Sequence, residues 1–347
     1  MFDDPFDGGS SKPTAPTAQT VPVHDPSGVV YEGVIENPVE GATVTRYKYD
    51  AESGVPVQHD DSLYLNQQNP LTTDENGHYN WDVPEGEWYV TASKDGYISG
   101  NSGNDRAATK QHTVGGETMN FLPVLPPQLD VNIPLVDKTA PEVEDVVYTP
   151  EGIYVTFTKY MVDTGYNDNG SVLESNNYTL TGEDGPITSF YAESVVRGHV
   201  PSNIDDVPSN IDENERTYTK TVRLVPTSGA EFEGDITLTV SGSVRSYADT
   251  ALGEVYSGSG TAESGELEIT VTQTGAGAVI KNNSFNSGTA TIIVADYDKD
   301  GALVNVSSEE YEFSALDEKT VNFTNTLTHK VFVWDSLEGM KPLDVKE

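Results

Sequence analysis

Three acidic stretches carry residue types that could hold a metal ion. In Asp296-Tyr297-Asp298-Lys299-Asp300-Gly301, carboxylates alternate ahead of a glycine, as at the start of a calcium loop. Position twelve of such a loop falls on Ser307, where a bidentate glutamate is needed. The flanks, Ile292–Ala295 and Leu303–Val306, read as strands rather than helices, so a hairpin turn competes with calcium. Asp74-Glu75-Asn76-Gly77 poses the same choice, and the third stretch, DTGYNDN (Asp163–Asn169), has no ligand spacing. The histidines are His24, His59, His78, His112, His199 and His329. No two lie close enough for an H-x-x-x-H zinc pair, and scattered surface side chains are expected. The chain has no cysteine, which removes disulfides, thiolate metal sites and cysteine nucleophiles. It also has no G-x-S-x-G, no Walker loop and no G-x-G-x-x-G after a strand. With 56 Asp and Glu, a glycosidase pair could be drawn anywhere, so none is assigned. The sequence therefore assigns no catalytic, cofactor-binding or metal residue, and no cofactor.

Aromatic rings on a sheet face are the other possible contact surface, since they stack on sugars. Trp334 alternates with Phe332, on the face opposite Val331 and Val333, and is the best candidate for a partly exposed ring. Trp81 and Trp88 each alternate with apolar neighbours, which predicts core positions.

The elements that must carry these residues are strands. Period-2 alternation recurs along the chain, turn residues punctuate it every 8–12 residues or so, and no helical periodicity stands out. With 347 residues, the chain suits two or three domains of about 100 residues each. The 31 Gly and 20 Pro fit turn-rich sandwiches. The formal charge of −37 argues against nucleic acid or anionic membrane as partner and favours loosely held cations. An acidic, solvated surface is the simplest account of it. No apolar run reaches the roughly 18 residues of a membrane span, so no membrane insertion is expected. Met1-Phe2-Asp3-Asp4 is polar and shows no signal peptide, as in a processed chain.

Residues 1–24, with SSKPTAPTAQTVP at their centre, read as a flexible linker. Residues 25–136 form a first module, with a polar insertion at 50–71. In TTDENGHYNWDVPEGEWYVTASKDGYI, the residues Thr73, Asp74, Gly77, Tyr79, Trp81, Val83, Pro84, Gly86, Trp88, Val90, Gly96 and Tyr97 keep fixed offsets. The stretch resembles the carboxypeptidase-regulatory, transthyretin-like domain, as does Gly41-Ala42-Thr43-Val44. That resemblance implies a mostly non-catalytic β-sandwich, with Trp81 and Trp88 pointing inward and Asp74–Gly77 forming a turn. The module closes on MNFLPVLPPQLDVNIPLV, where Leu129, Val131 and Ile133 alternate and the prolines fit an edge or a strand switch.

Residues 137–262 form a second module. Ala140-Pro141, then Ile153, Val155 and Phe157, then Met161, Asn177-Tyr178-Thr179-Leu180 and Val244-Arg245-Ser246-Tyr247-Ala248-Asp249 resemble the bacterial Ig-like domains of surface-layer proteins. The near-repeat VPSNIDD/VPSNIDE within 197–216 reads as a duplicated surface loop. Residues 263–347 form a third module, with strands at Leu267–Thr272, Ala290–Asp296, Ala302–Val306, Lys319–Phe323 and Thr328–Trp334. Its ending, FVWDSLEGMKPL, resembles the terminus of surface proteins of gut Firmicutes. The expected fold is thus all-β: three tandem Ig-like or transthyretin-like sandwiches.

This organisation suggests a non-catalytic structural or adhesive segment, a spacer or stalk, of a large secreted or cell-surface bacterial protein. The alternative is a set of carbohydrate-binding accessory modules of a secreted polysaccharide-degrading enzyme. Expected partners are a glycan or a host or cell-surface protein, and the chain itself is expected to be a monomer.

Overall fold

The computed structural model describes residues 26–59, 68–124, 126–163, 170–201, 217–227, 229–323 and 326–343. The linker at 1–24, part of the 50–71 insertion, and most of the DTGYNDN loop and of the VPSNID near-repeat lie outside them. Among the described residues the chain is all-β, with separate sheets and only two single-turn 3-10 helices, Ser102–Asn104 and Ser175–Asn177. Two compact units divide it. One holds the described residues up to Glu32 together with Pro38–Leu135; the other holds Gly33–Asn37 and the described residues from Val136 onward.

In the first unit, Ser27–Glu32 runs parallel to Ile133–Leu135 and antiparallel to His78–Asn80. A larger sheet has the order Val55–Gln58, Thr43–Asp50, Gly86–Ser93, Glu117–Val124, Lys110–Val114. Between them lies a core that includes Val44, Trp81, Trp88, Val90, Leu122 and Ile133. The proline-rich stretch after Val124 is a strand switch: Glu117–Val124 belongs to one sheet and Ile133–Leu135 to the other. The alternation expected from Leu129 begins only at Val131. Leu129 is 60% exposed, while Val131 and Ile133 are fully buried. Asp130 has φ 62°, which turns the backbone between them and resets which face each side chain takes.

The second unit contains two pairs of sheets. Val143–Thr149, Gly152–Val162, Thr217–Pro226 and Phe190–His199 form one sheet in that order; Gly185–Ile187, Tyr178–Gly182, Gly234–Val240 and Tyr256–Ala262 form its partner. Ile153, Val155, Phe157, Leu224, Leu238 and Val240 fill the space between. Tyr154 points the other way and is also buried, stacked on Phe285 at 4.4 Å. Phe190–His199 runs to His199, three residues into the stretch expected to be loop, because it ladders with Thr217–Pro226.

The last pair of sheets has the orders Ile269–Gln273, Gly277–Asn282, Glu318–Asn322 and Leu303–Phe313, Gly288–Tyr297, Thr328–Trp334. Two differences from the sequence reading stand out. The strand Gly277–Asn282 was hidden by the glycines that open it, although Ala278 and Ile280 face the core. Leu303–Phe313 continues past Val306 through Ser307, Ser308, Glu309 and Glu310. Backbone pairing with Gly288–Tyr297 carries it there, and its side chains stay in water. This core, around Ile280, Ile292, Phe313 and Val333, is the smallest.

A buried ion pair fixes the start of the second unit. Lys159 is 8% exposed; its Nζ lies 2.8 Å from the Asp137 carboxylate and donates to the carbonyls of Asp137 and Thr139 at 3.0 and 2.8 Å. Burial pushes the Asp137 carboxyl up, but the Lys159 ammonium and the Thr139 N–H and hydroxyl outweigh it and hold it below its ordinary 3.8. A lowered folded-state pKa stabilises above the unfolded value, and the stabilisation is lost as pH falls through the folded one. Asp137→Asn is expected to cost about 2 kcal/mol at neutral pH, with the gap to wild type closing below about pH 4. Urea unfolding of both proteins across pH reads this directly; a gap that persists in acid would contradict it.

Candidate functional site

The acidic stretches use their carboxylates to build turns. Asp298 Oδ1 accepts the N–H groups of Asp300 and Ala302, each at 2.9 Å, and Gly301 N–H closes back onto Asp298 O at 3.0 Å. Asp74 does the same: its Oδ1 accepts from Asn76 and His78 at 2.9 and 2.8 Å, and Gly77 N–H donates to Asp74 O. The N–H of His78 is the chief cause that holds the Asp74 carboxyl below its ordinary value. Both glycines have positive φ, 79° and 70°; a Cβ on Gly77 would also lie 2.5 Å from Val30 O. One local device, an aspartate two and four residues ahead of two N–H groups with glycine between, thus explains both stretches. Asp163 is buried and accepts from Ser194 Oγ and Arg197 Nε at 3.0 and 3.1 Å.

Trp81 and Trp88 are core residues, 2% and 0% exposed, their indole N–H groups donating to Gln68 O and Pro84 O. Trp334 is half-buried beside Phe332, which is 41% exposed.

The histidines separate into two classes. His78 and His199 are exposed and face Asp74 and Glu36. His112 is half-buried, paired with Glu87 and stacked on Tyr49 at 3.7 Å; His59 meets the Trp88 ring edge-on at 5.1 Å. His24 lies outside the described residues. His329 corrects the expectation of scattered surface histidine. It is 8% exposed, on the inward face of Thr328–Trp334, and its Nδ1 lies 2.8 Å from Asp296 Oδ1. The first carboxylate of the calcium-like hexad therefore turns inward to a histidine. Asp296 and His329 are direct cross-strand neighbours, and Asn305 pairs with Asp296 from the other side. Asn305 Nδ2 donates to Asp296 Oδ2 at 3.3 Å. Phe323 stacks on the imidazole at 4.0 Å, and Gln273 Nε2 fixes the strand by donating to His329 O at 2.7 Å.

This acid–imidazole pair lines a cavity of about 240 Å³, together with Ser307, Asn322, Phe323 and the aliphatic Val294 and Val321. His329 Nε2, on the ring edge opposite Asp296, is buried and has no hydrogen-bond partner. The sequence separates Asp296 from His329 by a hairpin and two strands, so only the register could bring them together. Among the described residues no three His, Asp or Glu side chains converge as a metal site needs.

With the acidic turns closed on their own backbone, salt is expected to act on this chain through screening of its −37 charge. Calcium and an ionic-strength-matched sodium salt should raise the melting midpoint alike, without saturation at micromolar calcium. A saturable calcium response in high sodium, lost when Asp296, Asp298 and Asp300 become Asn, would contradict this.

No helix among the described residues is long and apolar enough to cross a membrane. No family model and no curated protein sequence matches the chain. Solved structures do show likeness at low identity. The Corynebacterium diphtheriae major pilin SpaA is 12% identical over 92% of this chain and 89% of its own, with a TM-score of 0.18. Latent PorU from Porphyromonas gingivalis is 13% identical over 88% of this chain and 29% of its own, with a TM-score of 0.25. An Escherichia coli alpha-2-macroglobulin fragment spanning domains MG0-NIE-MG1 is 9% identical over 53% of this chain and 60% of its own, with a TM-score of 0.24. The chain spans less than two thirds of the length of the last two.

Proposed function

We propose that the chain is a non-catalytic spacer or stalk of three β-sandwich modules within a larger secreted or cell-surface bacterial protein. The carrying observation is three separate buried cores in sequence order, each between its own sheets. The second module is also braced at its opening and against the third. Lys159 clamps Asp137 and Thr139 at the opening of the second module. Phe285 of the third stacks on Tyr154 of the second, and Ser287 Oγ donates to Glu151 at 2.6 Å. Such bracing suits a segment that holds something else at a distance. The acidic surface keeps it soluble and monomeric and disfavours nucleic acid and anionic membrane.

A spacer is defined by being replaceable. Placed between a surface anchor and a small binding head on bacterial cells, the chain should let the head capture receptor-coated beads under flow. An unrelated tandem of sandwiches of equal length should serve equally, and the head placed directly on the anchor should capture far fewer. Capture by cells carrying the chain without the head would overturn the reading in favour of an adhesin. The second reading, carbohydrate-binding accessory modules, is favoured by Phe332 and Trp334, which share one face of the last strand.

A further inference from the structure

We propose that the cavity built on Asp296 and His329 is a binding site for a single neutral sugar ring, the hydroxyl of which donates a hydrogen bond to His329 Nε2. The inference goes beyond the spacer reading and stands or falls separately from it.

Its floor is the cross-strand row Asn305–Asp296–His329, fixed by backbone register rather than by flexible loops. Asp296 Oδ1 accepts from Nδ1–H, and in the neutral form of the ring this leaves a lone pair at Nε2. That nitrogen is buried and unpartnered on a side chain more than nine-tenths buried. A buried acceptor without a donor carries a desolvation cost, and a ligand donor at this spot removes it. Such an orphan is therefore the feature that points to a ligand.

The chemistry of the lining narrows the ligand. An anion would meet Asp296 in a chain of charge −37. A metal ion would find one imidazole, with the nearby carboxylate already holding that ring and an asparagine. What remains on the lining is two amides, Asn305 and Asn322, and one hydroxyl, Ser307; around them lie the Phe323 ring and aliphatic Val294 and Val321. Alternating polar groups and apolar surface match the hydroxyl edges and C–H faces of a sugar. At about 240 Å³ the cavity is smaller than the ~300–1,000 Å³ typical of drug-sized ligands and suits one ring.

The test uses the intact chain and the methyl glycosides of glucose, galactose, mannose and N-acetylglucosamine as probes, with an alkylammonium salt as the cationic control. Saturation-transfer NMR and titration of the His329 imidazole 15N signals read binding. At least one glycoside should bind saturably in the millimolar range and shift Nε2 as it gains a donor. His329→Ala should abolish binding. Because that change also removes the imidazole partner of Asp296, the exposed rim variant Asn322→Ala provides a second arm. It should melt like wild type and bind roughly tenfold more weakly, as expected for one lost hydrogen bond to a ligand. No saturable response to any glycoside means the cavity holds ordered water only, and overturns the proposal. So does binding unchanged in both variants, or preference for the alkylammonium salt.

Discussion

Trp88→Ala is expected to destabilise the first unit by about 3–5 kcal/mol, as for a fully buried indole. Trp88 is 0% exposed and faces Leu122 across the ladder with Glu117–Val124. Its Nε1–H donates to Pro84 O at 3.1 Å, and the Lys48 ammonium sits over its ring at 5.6 Å. Truncation removes the ring's packing, the cation–π contact and the brace on the Pro84-Glu85-Gly86 corner together. The loss should be confined to this core, because its buried residues form a cluster separate from the other two. Urea unfolding followed by amide exchange, resolved by segment, measures both parts. A loss under about 1 kcal/mol, or one spread evenly over the whole chain, would contradict the packing argument.

Asn282→Ala should be nearly as costly in the third core, about 3–4 kcal/mol. Asn282 is fully buried, and its amide ties together chain segments far apart in sequence. Its Nδ2 donates to the carbonyls of Asn286 and Ser314 at 2.8 and 2.9 Å. Its Oδ1 accepts from Ser284 N–H and Oγ at 3.1 and 2.9 Å, and from Glu268 N–H at 3.4 Å. Alanine cuts the ties to the Asn286 and Ser314 carbonyls and leaves the buried Ser284 without its partner. Asn282→Asp should rescue only in part, since a carboxylate accepts but cannot donate to the two carbonyls. Thermal unfolding of the two variants and wild type checks this; an Asp variant as stable as wild type would show that the donor side contributes nothing.

The alternating strands were legible because one face of each is buried and the period is two. Ile153, Val155 and Phe157 follow that rule, and so do Trp81 and Trp88. The acidic turns were legible too, since aspartate followed at fixed distance by glycine has a local explanation. What stayed hidden depends on register or on cover. Tyr154 is buried on the supposedly outer face because Phe285 covers it. Leu303–Phe313 extends through serines and glutamates because its backbone is already paired. Asp296 and His329, unremarkable when read separately, meet only because the two strands align residue for residue. The hairpin motif drew attention to Asp296 but carried no sign of the histidine that pairs with it.

The central claim is that three modules with separate cores stand in series. Pulling the intact chain from both ends in a force spectrometer tests it most directly. The account expects three separate unfolding events, each releasing about 300–450 Å of chain at ~3.6 Å per residue. Trp88→Ala should weaken one event and Asn282→Ala a different one. A single cooperative event, or both substitutions weakening the same one, would contradict it.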